Sequence, residues 1–150
     1  MHFLRNHRAR AAGLTMFFAL LLSAWPASAA IRIQASNGGR IGDYLVIFDR
    51  MRASGEKIII DGPCLSACTL VLSVIPTNRI CVTRRAVLGF HAAWKPDRRG
   101  RPLRHAEATQ LMMDTYPAPV RQWISRRGGL TSRTILLRGR ELGALYARCR

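Results

Sequence analysis

Three short stretches of the chain hold residue types that could do chemistry. Ser66 follows Ile58-Ile59-Ile60-Asp61-Gly62-Pro63-Cys64-Leu65, His91 follows Ala86-Val87-Leu88-Gly89-Phe90, and Gly38-Gly39 follows the short apolar run Ile31-Arg32-Ile33. A serine hydroxyl is a poor nucleophile until an imidazole within hydrogen-bond reach takes its proton. Backbone amides aimed at a developing oxyanion lower the barrier further, by about 3 to 4 kcal/mol for one donor. Each residue also has an ordinary structural use: Ser66 is a good helix N-cap, and His91 is a single histidine at a strand end. What separates the two uses is where the surrounding elements put these side chains.

Ile58 to Ile60 is β-branched, as suits a parallel strand covered on both faces. Gly62-Pro63 breaks it, and Ala67 to Val74 is apolar enough for a buried helix. Ser66 then lies in that helix's first turn, where free N–H groups and the positive end of the macrodipole favour an alkoxide or a neighbouring oxyanion. Upstream, Ile31-Arg32-Ile33 reads as a strand and Ala35 to Gly39 as a turn. Ile41, Tyr44, Leu45, Ile47, Phe48 and Met51 keep a helical rhythm that Ser54-Gly55 closes. Ile31 to Ile60 is therefore a βαβ unit, and sites in such sheets lie beyond the C-terminal ends of the strands. Arg79 to Thr83 and Ala86 to Phe90 are two further strands, and Lys95 to Arg104 is a basic loop. Ala106 to Thr115 and Pro119 to Arg127 are helices, with Gly128-Gly129 as a stop. Thr131 to Leu136 starts a last helix or turn, and Glu141 to Arg148 reads as helical. The class expected is α/β, built from βαβ units with a mainly parallel sheet and C-terminal helices.

Residues 1–29 read as a signal peptide: Arg5, Arg8 and Arg10, an apolar core from Leu14 to Trp25, and an Ala27-Ser28-Ala29 cleavage site. That apolar run is shorter than the ~20 residues a spanning helix needs. Residues 30–150 are then a single domain, periplasmic or secreted. Removing the three leader arginines from the 24 basic residues leaves 21 against 8 acidic ones, a formal charge of +13. Such a charge suits an anionic membrane or cell-envelope polymer. No helix-turn-helix, zinc-finger or RNP pattern accompanies it, so dedicated nucleic-acid binding is not expected.

Cys64, Cys68, Cys81 and Cys149 are an even set, which in an oxidising compartment favours disulfides over a metal site. No histidine stands at zinc-ligand spacing from them, so no metal and no cofactor is expected. A helix of two turns from Ser66, reversed at Pro76-Thr77-Asn78, would return the next strand level with Cys68. That points to a Cys68–Cys81 bridge, with Cys64 and Cys149 a second pair or free thiols.

Taken together, the order and separation of Gly38-Gly39, Ser66 and His91 resemble the Clp protease proteolytic subunit, within the Clp/crotonase superfamily. Ser36-Asn37-Gly38-Gly39 is similar to that family's Ser-Pro-Gly-Gly, Cys64-Leu65-Ser66-Ala67-Cys68 to its Ala-Ala-Ser-Met-Gly, and Gly89-Phe90-His91 to its Met-Ile-His. The resemblance covers roughly residues 31–94. The cysteines around the serine and the leader depart from it, so the chain reads as a small exported relative.

The resemblance implies that Ser66 is the nucleophile, His91 its general base, and the N–H groups of Gly39 and Ala67 the oxyanion hole. It also implies an acid that orients the histidine, but Thr131 to Leu137, the comparable region, has none. Asp114 and Glu141 are the nearest substitutes in sequence. Asp114 reads equally as part of a solvated helix face, and Glu141 as a local partner of Arg138 or Arg140. His105 falls in the basic loop and is not a strong competitor for the base, and Asp43 suits the first turn of its helix. Two functions follow as expectations. One is a serine hydrolase of the peptidase kind, acting on a peptide or acyl substrate as a monomer or small oligomer with no ATPase partner. The other is a catalytically degenerate scaffold of the same fold that binds an anionic surface.

Overall fold

The computed structural model describes residues 29–150, so all but the last residue of the predicted leader lies outside the described residues. Strand β1 (Ala30–Ile33) leads through the glycine turn into helix α1 (Ile41–Ala53), which returns to β2 (Lys57–Ile60). With β4 (Ile80–Val82) and β9 (Ala147–Arg148), these strands form a four-stranded sheet in the order β1-β2-β4-β9, every pairing parallel. A second sheet has the order β3-β5-β8: β3 (Pro63–Leu65) runs parallel to β5 (Val87–Phe90), and β8 (Ile135–Arg138) is antiparallel to it. Strands β6 (Trp94–Pro96) and β7 (Pro102–Arg104) form a separate hairpin. The helices α2 (Val71–Val74), α3 (Ala106–Thr115), α4 (Ala118–Arg126) and α5 (Gly139–Leu145) complete the chain. This is the expected α/β class, with a mainly parallel sheet. No helix among the described residues is long and apolar enough to cross a membrane.

The two sheets are joined at a corner. Beyond Ile60 the chain turns at Asp61-Gly62 and enters β3, and beyond Val82 it turns again before β5. Asp61 N–H donates to the Ile33 carbonyl, Thr83 N–H to Ile60 and Val87 N–H to Gly62, so the neighbouring strands bend together. The Asp61 carboxylate, only 4% exposed, accepts from Arg32 (2.6 Å), Thr83 Oγ1 (2.7 Å) and Arg85 (2.5 and 3.1 Å). Its hydrogen bonds from Arg85, then Thr83 and Arg32, hold its pKa well below the usual carboxylate range. A depressed carboxylate contributes stability that is complete above its unfolded value, about pH 4, and is lost as pH falls through the folded value. The gap in melting temperature between wild type and Asp61→Asn should therefore be widest near neutrality and close in acid. A gap that is constant from pH 7 to pH 2 would contradict this role.

One apolar cluster fills the space between the layers, with Ile58, Ile60, Val71, Leu88, Ile124, Leu137 and Leu142 fully buried. Among the described residues its buried members run from Phe48 to Tyr146, with Ile31 and Ile33 packed against them. Helix α1 contributes Phe48, with Ile41, Tyr44 and Met51 packed beside it, while Leu45 and Ile47 of the predicted stripe stay exposed.

Several elements differ from expectation. Pro63 begins a strand, a position where its missing N–H costs nothing, so β3 occupies residues read as a turn. The predicted helix from Ala67 is a 3-10 helix, Ser66–Leu70, followed by the single turn α2. The basic loop is the β6–β7 hairpin, Ile135–Arg138 is a strand, and Ala147–Arg148 is an edge strand rather than helix.

The cysteine pairing is also corrected. The bridges are Cys64–Cys68 and Cys81–Cys149, with Cα separations of 5.2 and 5.0 Å, not Cys68–Cys81. The reason is the corner: Cys68 lies in the 3-10 helix that follows β3 of the second sheet, whereas Cys81 lies on β4 of the first sheet. The tight 3-10 turn brings Cys68 back over Cys64, and the β4–β9 pairing brings Cys149 alongside Cys81.

Candidate active site

Ser66 is the only non-glycine residue with positive φ among those described, at +56°. Left-handed backbone is unfavourable for an L-residue without a local reason, and such strain gathers at functional sites. Here the surroundings over-determine it. Leu65 ends β3 in extended backbone and the next residue opens a 3-10 helix, so the whole change of direction falls on Ser66. The Cys64–Cys68 bridge spans that change, closing a ring with Ser66 at its centre.

A buried chain of hydroxyls holds the serine from below. Thr69 Oγ1 donates to the Ser66 carbonyl (2.7 Å), which leaves it to accept from Tyr116 O–H (2.6 Å). Burial pushes the Tyr116 phenol up to about 12, so it keeps its proton and remains a donor through the neutral range. Tyr116 packs edge-on against Phe90, the residue before His91, with ring centroids 5.4 Å apart. The serine turn and the histidine strand therefore share one support.

The glycine turn meets Ser66 from the other side. Ser36 N–H donates to the Pro63 carbonyl (2.8 Å) and Leu65 N–H to the Ser36 carbonyl (2.9 Å), pinning this loop to β3. Gly38 has φ +83°, and a Cβ there would stand 2.5 Å from Ser66 Cβ, 2.6 Å from the Leu65 carbonyl oxygen and 3.0 Å from the Ala67 nitrogen. Only glycine allows that approach. The Ser36 hydroxyl, bonded to Tyr44 O–H at 2.6 Å, steadies the same turn from helix α1.

Ser66, Ala67, Gly38, Gly39 and His91 all line one cavity of about 530 Å³. Ala67 N–H lies in the first turn of the 3-10 helix, where no earlier carbonyl of the helix can reach it. No hydrogen bond joins Ser66 Oγ to His91 among the described residues. The half-buried His91 bonds elsewhere: its Nδ1 is 2.7 Å from the Ala92 carbonyl oxygen, which can only accept. That contact places the proton on Nδ1 and leaves Nε2 with a lone pair, the tautomer a general base requires. Asp114 and Glu141 are not beside this ring. Asp114 is exposed on α3 and accepts from Gln110 Nε2 (2.9 Å), and Glu141 pairs with Arg127 (2.5 Å) instead of its arginine neighbours on the chain. A second hollow beside His91 is lined by the polar side chains of Arg104, Ser132 and Thr134 and by no carboxylate.

His105 was set aside on sequence and stands on the cavity wall. The β6–β7 hairpin folds the chain back so that His105 N–H donates to the Ala93 carbonyl (2.8 Å). As the N-cap of α3 its Nδ1 accepts from Ala108 N–H (3.3 Å), which puts its proton on Nε2. The two histidines thus hold opposite tautomers, one able to accept a proton and one able to donate a hydrogen bond. The legible signal was a histidine placed just before a helix, a capping position. Ile41, Trp94, Pro96, Ala108 and Met112 make the rest of the wall largely apolar, with Arg40 as its cation. Among the described residues no cluster of His, Cys, Asp and Glu could hold a metal ion.

The sequence matches no protein-family model and no curated protein. Solved structures do match, among them a ClpP1 mutant from Listeria monocytogenes, over 77% of this chain and 68% of that one, at 15% identity and a TM-score of 0.48. The α/β architecture rests on the strand pairings themselves and not on that likeness.

Proposed function

We propose that the chain is an exported serine hydrolase of the peptidase kind, working through an acyl-Ser66 intermediate on a peptide or other acyl substrate. One observation carries the reading: the only strained non-glycine backbone among the described residues belongs to Ser66, and it faces a cavity shared with a histidine in the tautomer of a base. His91 Nε2 would take the Ser66 proton as the hydroxyl attacks the carbonyl carbon, then return it to the leaving group. The Gly39 and Ala67 amides would hold the oxyanion, and His105 Nε2–H would anchor a second carbonyl of the substrate. The two disulfides are what an oxidising destination favours, in keeping with the leader read from the sequence.

A second reading has its own support. With a backbone carbonyl where a carboxylate would orient His91, the imidazolium formed during attack is stabilised less, so turnover would be slow or absent. That describes a scaffold of the same fold, retained for binding. A fluorophosphonate probe separates the two. The oxidised protein should be labelled at Ser66, Ser66→Ala should not be labelled, and His91→Ala should slow labelling by about a hundredfold or more. Labelling of Ser66→Ala at the wild-type rate would sink the hydrolase reading.

A further inference from the structure

The β6–β7 hairpin is paired to neither sheet, and a two-stranded ribbon gains little stability by itself. What it contributes is surface. Trp94 is 58% exposed and Leu103 48% exposed, and Lys95, Arg98, Arg99, Arg101 and Arg104 lie along the same ribbon. The one carboxylate in the ribbon, Asp97, is already used: it accepts from the N–H groups of Arg99 and Arg101 (both 2.8 Å) and from Arg101 Nε (2.8 Å), which shapes the tip. Arg101 is thereby paired, while Lys95, Arg98, Arg99 and Arg104 are exposed with no other acid in the ribbon to neutralise them.

The register shows what kind of partner this surface fits. Trp94 and Arg104 share one face with the Pro96–Pro102 pair, and Lys95 and Leu103 form the pair on the other, so each face of the ribbon mixes apolar and cationic side chains. A ribbon meant to pack on another protein would separate an apolar face from a polar one. A soluble polyanion would use the arginines and leave the indole in water. A lipid headgroup region uses both: arginine forks pair with phosphates, and an indole sits at the boundary between headgroups and acyl chains. Trp94 and Pro96 also wall the cavity that holds Ser66.

We propose that the β6–β7 hairpin docks the protein on an anionic lipid bilayer, through Trp94, Arg104 on the same face and the tip cations Arg98 and Arg99, so that the mouth of the Ser66 cavity opens at the membrane surface. Substrates would then be acyl compounds or peptides held at that surface. This last step rests on the hydrolase reading, whereas the docking does not. The oxidised protein should sediment with phosphatidylcholine vesicles containing phosphatidylglycerol and not with phosphatidylcholine alone, and added salt should weaken the binding. Brominated lipid should quench the exposed Trp94 and spare the buried Trp123 in the bound protein. Arg98→Glu with Arg99→Glu should lower the partition coefficient roughly 25-fold or more, at about fivefold for each cation lost. Trp94→Ala should remove the quenching and weaken binding. Ser66→Ala should bind as wild type, so failure of the docking and failure of the chemistry are told apart. Three results would overturn the proposal: no preference for anionic vesicles, no quenching on binding, or binding that dextran sulfate competes away equally for wild type and Trp94→Ala, which would mark a simple polyanion site.

Discussion

Replacing Gly38 by alanine is expected to slow fluorophosphonate labelling of Ser66 by about two to three orders of magnitude, the loss seen when an oxyanion donor is displaced. The cause is steric before it is electronic. The new methyl would lie 2.5 Å from Ser66 Cβ and 2.6 Å from the Leu65 carbonyl oxygen, and two of the three nearest atoms are backbone, which cannot swing aside. Either the glycine turn lifts away from β3, carrying the Gly39 amide with it, or the Ser66 turn flattens. The control is Gly55→Ala. Gly55 has a similar φ of +75° but open space around its Cβ position, so it carries the left-handed penalty of about 1 to 2 kcal/mol without the collision. It should lower the melting temperature and leave labelling unchanged. Equal labelling of wild type and Gly38→Ala would mean that the glycine turn and the serine do not act together.

The stretches that sequence read correctly are those where one periodicity dominates. Ile58 and Ile60 are fully buried with Ile59 half-buried between them, as suits an interior strand, and Ala106 to Thr115 carries a helical stripe ending in Met112. Ser66, His91, Gly38 and Gly39 were legible as a set because each follows a strand end, and sheet geometry gathers such ends. The misreadings fall where a non-local contact overrides a local signal. Gly62-Pro63 looks like a turn between strand and helix, yet Pro63-Cys64-Leu65 is a strand because β5 lies beside it. Ile135 to Arg138 has no strong pattern of its own and becomes a strand by pairing antiparallel with β5. His105 was passed over because Lys95 to Arg104 reads as loop composition. The hairpin register that returns His105 to Ala93 is not written in any short window of residues. The orienting group for His91 was sought among acids, whereas the bond the ring makes is to the carbonyl of the next residue, which any side chain at position 92 would supply.

The two disulfides should fail in opposite ways, because they close rings of very different size. Cys81–Cys149 joins positions 68 apart and Cys64–Cys68 positions 4 apart. In the chain-entropy picture the first is worth about 4 kcal/mol and the second about 2 kcal/mol. Cys81→Ala with Cys149→Ala releases the β9 edge strand. For a domain of this size it should lower the melting temperature by about 15 °C or more. Labelling of Ser66 at temperatures well below that transition should persist, because neither cysteine touches the cavity. Cys64→Ala with Cys68→Ala should cost less in melting temperature and far more in labelling. The short ring is what closes over Ser66, and without it the backbone there can relax from +56° toward the ordinary right-handed region. The Ala67 amide would turn with it, since the two residues share a peptide plane. Both cysteines of the short ring are buried, 0% and 1% exposed, so added reductant should open Cys64–Cys68 only as the protein unfolds. Labelling should therefore survive mild reduction and be lost in the double variant. If the two double variants lose labelling in proportion to their stability alone, the short disulfide has no role in shaping the serine turn. If Cys64→Ala with Cys68→Ala labels as wild type while melting lower, the positive φ of Ser66 is held by Gly38, Thr69 and Tyr116 without it.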